Sequence, residues 1–143
     1  MAEICEKSKE LRLLGRRMIR EHEDLHWIRE TRTHVGYAYS DAQKKRGIDQ
    51  LVFGECKKVP AFCQAFIPYD FIILFYEPNS RLLPEDALEK LMYHELLHVG
   101  IKPSGQLYLK PHDVEEFDTI IDQYGLRWLE ESIARAIVED GDR

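Results

Sequence analysis

Apolar residues recur at threes, fours and sevens from Ile4 through Leu11, Leu14, Met18, Leu25 and Ile28, the spacing that lines one side of a helix. Charged residues fill the positions between them, so the pattern predicts one amphipathic packing helix over residues 8–29. The period then falls to two. Val35, Tyr37 and Tyr39 alternate with smaller residues, and residues 51–56 read as a second short strand. Between them SDAQKKRGID is polar and contains glycine, as a loop or a short helical turn would. The run FIILFY, residues 71–76, sits between two proline-bearing segments. It is too short for a buried helix and rich in aromatic and β-branched types, so it reads as a central strand.

From Pro84 the helical period returns. Proline suits a first helical position, and Glu85 and Asp86 favour the positive end of the helix dipole. Leu88, Met92, Leu96 and Val99 then share one face, Gly100 reads as the C-terminal cap, and Pro103 blocks continuation. Two more helices are expected. One runs from Pro111 to Gly125 with Val114, Phe117, Ile120 and Ile121 inward; the other, over 126–138, buries Trp128, Leu129, Ile133 and Ile137. The order implies an α+β fold: an N-terminal helix, a small, mostly antiparallel sheet of about three strands, the 84–100 helix and two C-terminal helices. No repeat interrupts it, and 143 residues suit one domain spanning 1–143.

Composition narrows the function class. Hydrophobic residues at 44% and charged residues at 32% describe a chain that folds. A net charge of −6 gives no general pull towards nucleic acid or anionic lipid, so direct nucleic-acid binding is not expected. The compact basic cluster KKRG, residues 44–47, reads as a solvated loop. The first residues lack a signal-peptide core, and no apolar run approaches the roughly 20 residues of a spanning helix. Cys5, Cys56 and Cys63 form no CxxC pair, and the six-residue gap between the last two fits no common zinc spacing. They read as reduced thiols of a soluble, cytoplasmic protein. Oligomeric state is left open by the sequence.

The chemistry concentrates in YHELLHVG, residues 93–100. Residues four apart lie one above the other on a helix, so His94 and His98 can direct two imidazoles at one ion. Glu95, beside them, can reach a water held there without ligating the metal itself. Random order of this composition yields roughly 0.03 such matches, and the bland alternative is two histidines favoured by a helix C-terminus. Context favours the metal, because the motif lies on a helix that follows a strand. A catalytic zinc also takes a third protein ligand. PHDVEEF offers His112, fourteen residues beyond His98, as the preferred third ligand, with Glu115 and Glu116 as alternatives. Asp113, Glu115 or Glu116 can instead orient a ligating imidazole. The longer metzincin signature is excluded, since it needs glycine at 101 and histidine at 104, where Ile101 and Ser104 stand.

YHELLHVG, followed by PHDVEEF and preceded by VPAFCQAFIPYDFIILFYEPN, resembles the phage metallopeptidase family, small domains of phages and prophages regarded as zincins. The resemblance covers residues 35–124. More distantly the chain is similar to SprT-like metalloproteases, in which a third histidine shortly precedes a phenylalanine, as His112 precedes Phe117 here. The resemblance implies a zinc peptidase with a protein or peptide substrate, Zn2+ held by His94, His98 and His112, and Glu95 as general base. Two other readings stand beside it. One is a zincin-fold binding module without proteolysis, which would have no use for Glu95; the other is an SprT-like protease acting on nucleic-acid-associated proteins. Tyr93, Tyr108 and Tyr124 are candidate oxyanion stabilisers, with no choice among them.

Overall fold

A computed structural model describes residues 2–48 and 50–111. The two helices expected over 111–125 and 126–138 lie outside the described residues.

The chain opens with a strand the sequence pattern hid, β1 (Cys5–Lys7), and then forms α1 (Lys9–Glu21). Ser8 caps α1, its hydroxyl accepting from the Leu11 N–H at 3.1 Å, an interaction that stabilises a helix start by about 1 kcal/mol. The single helix expected over 8–29 is broken. His22 is extended, a 3-10 turn covers Glu23–Leu25, and α2 (His26–Glu30) follows. The apolar spacing survives the break, because Leu25 and Ile28 are still buried. Ile4, placed on the helical face by spacing alone, is instead 58% exposed before β1.

Next come β2 (Val35–Ser40), the small hairpin β3 (Lys45–Arg46) and β4 (Gln50–Leu51), and β5 (Gly54–Lys58). The single strand expected over 51–56 is thus two, separated where Phe53 turns into the core. After a 3-10 turn at Ala61–Ala65 the chain enters β6 (Phe71–Tyr76), the short α3 (Glu77–Ser80), α4 (Glu85–Leu96), and the hairpin β7 (Val99–Ile101) and β8 (Leu107–Leu109). Among the described residues no helix is long and apolar enough to cross a membrane.

The fold is α+β. Its main sheet has four strands in the order β1-β2-β6-β5, one more than the pattern suggested. It is mixed: β2 runs parallel to β6, while β1–β2 and β5–β6 are antiparallel. β6 is flanked on both sides, as its unbroken apolar run implied, and Phe71, Ile73 and Phe75 are fully buried. Burying each such side chain contributes about 2 kcal/mol.

Tyr37, Ile73 and Cys56 stand in one row across β2, β6 and β5. With the pleat alternating, they share a face, and the helices cover it. The Gly15 backbone of α1 rests against the Tyr37 ring, while α4 lies over β5. Arg17 of α1 pairs with Glu89 of α4, tying the two helices together. Leu11, Met18, Ile28, Ala87, Leu91, Met92 and Leu96 fill the space beneath. On α4 it is Ala87 and Leu91 rather than Leu88 that lie deepest, Leu88 being half-buried at the margin.

Candidate metal centre

α4 starts after Pro84, whose carbonyl accepts from the N–H groups of Ala87 and Leu88. Its last two turns are buried nearly all round, from Leu91 to Leu96. That explains how the motif is held. Tyr93 is fully buried, its ring stacked on His22 at 3.7 Å and its hydroxyl donating to Asp24 at 2.7 Å. The break in the N-terminal helix is what presents His22 and Asp24 to Tyr93. Burial lowers the His22 pKa, with Asp24 and Glu21 opposing the shift.

His94 and Glu95 follow on the same turn and are only 7% and 4% exposed. Helix α4 ends at Leu96, one turn before the expected Gly100 cap. Leu97 and His98 form a turn, with the His98 N–H donating to the Glu95 carbonyl at 3.1 Å. Gly100 is no cap: it belongs to β7 and pairs with Tyr108 of β8. A side chain there would meet the Tyr108 ring at 2.8 Å, so glycine is required by the close approach of the ring and not by a helix end.

The hairpin fixes His98. Its Nδ1 lies 2.7 Å from the Lys110 carbonyl oxygen, and the Lys110 N–H returns to the His98 carbonyl at 2.6 Å. A carbonyl only accepts, so Nδ1 carries a proton, and in the neutral ring that leaves the lone pair on Nε2. That is the tautomer a ligating imidazole needs, oriented by a backbone partner. The Nε2 atom stands 3.7 Å from Glu95 Oε1, and the His94 and His98 rings meet edge to face with centroids 5.2 Å apart. One donor atom each from His94, Glu95 and His98 lies within 4.8 Å of the others.

Two imidazoles beside a buried carboxylate suit a borderline cation such as zinc, so the donor set fits a metal. The structure brings together His94, Glu95 and His98. His112, Asp113, Glu115, Glu116 and Tyr124 lie outside the described residues. Tyr93 bonds Asp24, stacks on His22 and is fully buried in the core. Cys56, on β5, faces this side of the sheet. Burial and then the charge of Glu95 push its thiol up, far from the thiolate form; Cys5, Cys56 and Cys63 are all free.

A family model described as "Putative phage metallopeptidase" matches residues 3–139. The chain belongs to that family. The description names a peptidase that depends on a metal, and the trio His94, Glu95 and His98 at the end of α4 is a group able to hold one. No curated protein and no solved structure matches the chain. Sequence reasoning missed the partners that hold the motif in place. His22 and Asp24 looked like polar positions of a continuous helix, and the Lys110 interaction uses only its backbone atoms, which carry no residue-type signal.

Proposed function

We propose that this member of the phage metallopeptidase family is a zinc-dependent peptidase, the whole chain acting as one cytoplasmic domain on a protein or peptide substrate. The observation that carries the reading is the trio His94, Glu95 and His98 at the end of α4, two of them buried, with His98 Nδ1 engaged by the Lys110 carbonyl. His94 and His98 are the first two zinc ligands and His112 the third. In support, the β7–β8 hairpin returns Lys110 to His98, and His112 follows Lys110 by only two residues. Two residues span about 7 Å of chain, within reach of a neighbouring imidazole. Glu115 and Glu116 are further along and serve better as partners of a ligating ring.

Bound zinc supplies a Lewis acid that polarises the scissile carbonyl and makes water acidic enough to attack near neutral pH. The remaining work falls to side chains. Glu95 takes the proton of the attacking water and delivers it to the leaving amine. Its burial, at 4% exposure, keeps bulk water from competing for that proton. Lys110 holds the His98 ring through its backbone, and Asp24 and His22 keep the α4 turn from rotating through Tyr93. β5 ends the sheet beside α4, and its outer edge is where an extended peptide adds as a further strand.

Glu95→Gln tests the chemistry apart from the metal. Incubated with a peptide library and read by mass spectrometry, the parent should cleave and the variant should not, while both retain metal. Cleavage by the variant at the parental rate removes Glu95 from the mechanism.

A further inference from the structure

Away from the metal centre, a groove of about 910 Å³ lies between α1, residues 35–37 of β2 and Pro68–Tyr69. None of its walls comes from α4, β5, β7 or β8. Six cations line it: Lys7, Lys9, Arg12, Arg16, Arg20 and Arg29. All six are exposed. Among the described residues none is ion-paired, and no carboxylate lines the groove. Arg12, Arg16 and Arg20 recur every four residues along α1, which stacks them on one face about 6 Å apart. The acidic residues of α1 are turned elsewhere, Glu10 acting on Tyr39 and Glu21 pairing with Arg17.

Like charges gathered in a concave site repel one another, so the arrangement favours a polyanionic occupant. An aromatic ring in the groove wall narrows the class. Tyr69 lies over Gly36 in the groove wall, with the Lys7 ammonium 5.6 Å from its centroid. On the same segment Phe62 and Phe66 are 77% and 87% exposed. A cationic groove with an aromatic ring in its wall is how proteins hold single strands, phosphates along the cations and a base against the ring. A duplex, by contrast, is read by an element that protrudes into one of its grooves. An acidic peptide would satisfy the cations but give the Tyr69 ring no base to stack on.

We propose that this groove binds single-stranded nucleic acid. The net charge of −6 concealed it, because the sum over the chain averages away a stripe whose members are four residues apart. The site is independent of the metal centre, and its test needs no peptidase activity.

Fluorescence anisotropy of a labelled oligothymidylate with the full chain decides it. The parent should bind at low salt. R12Q/R16Q/R20Q should weaken binding at least about tenfold and lower the log–log salt slope by about 2, at about 0.7 for each phosphate left without its cation. K45Q/R46Q, in the separate β3–β4 hairpin, should bind like the parent. Tyr69→Ala should weaken binding several-fold and leave the slope unchanged. If the triple variant fails to fold, Arg20→Gln alone should lower the slope by about 0.7. The proposal is overturned if the parent does not bind, or if the folded arginine variants bind as tightly. Equal displacement by polyglutamate, or equal affinity for a duplex, overturns it as well.

Discussion

His98 and Lys110 hold each other twice: imidazole Nδ1 to the Lys110 carbonyl at 2.7 Å, and the Lys110 N–H to the His98 carbonyl at 2.6 Å. The pair closes the β7–β8 hairpin onto the end of α4. It sets the ring of one candidate ligand and, through the backbone, the point from which the chain continues to His112.

Gly100 is the residue that lets this hairpin close. Gly100→Ala would drive a methyl into the Tyr108 ring, 2.8 Å away, and overpacking of this kind costs about 1–3 kcal/mol. Because the hairpin carries the partner of His98, zinc affinity should fall at least about tenfold. Urea unfolding and competition with a chromophoric chelator measure the two effects; an alanine variant with parental stability and affinity would contradict the account of the hairpin.

Tyr93→Phe removes the hydroxyl that donates to Asp24 and leaves the ring on His22. A net loss of about 1.5–3 kcal/mol is expected for a bond to a carboxylate acceptor. Zinc content should not change, since the side chain points into the core. Denaturant midpoints and elemental analysis of the same sample separate stability from ligation.

The His22 stack makes stability sensitive to pH. Burial lowers its pKa from 6.5, so the unfolded chain takes up the proton first as pH falls. Its contribution is therefore complete above pH 6.5, and is lost as pH drops from there through the lower folded pKa. His22→Phe keeps a stacking ring and cannot titrate. Metal-free parent and variant should differ in how their urea midpoints change below that pH, the parent losing more; identical slopes would remove His22 as the cause.

Asn79 is fully buried, its amide donating to the carbonyls of Lys44 at 2.9 Å and Val52 at 2.7 Å. Asn79→Ala leaves both acceptors without that donor and opens a cavity, so a loss of about 2–4 kcal/mol is expected. Thermal melting checks it.

The elements legible in the sequence are those whose burial pattern is strong. FIILFY predicted the central strand because β6 is covered on both faces and flanked on both edges. α4 was legible up to Leu96, where propensity and spacing agree; its end was not, because Gly100 serves the close approach of Tyr108 rather than a cap. β1 was hidden since all three of its residues are exposed and carry no alternation. The bend at His22 was hidden because Leu25 and Ile28 keep helical spacing across it. Within the site, His94, Glu95 and His98 could be read from residue type alone, whereas Asp24 and Lys110 act over 69 and 12 positions of separation. The basic groove was missed for a different reason: its cations come from α1, α2 and the end of β1 and meet only in the folded chain.

The central claim is that His94, in α4, and His98, in the turn after it, hold a metal. Zinc per chain, measured by elemental analysis on protein purified without chelators, tests it most directly. The account predicts close to one equivalent in the parent and in Glu95→Gln, falling to a small fraction in His98→Ala with the fold intact. A parent that neither carries zinc nor binds it on addition, or a His98→Ala variant that retains a full equivalent, would contradict it.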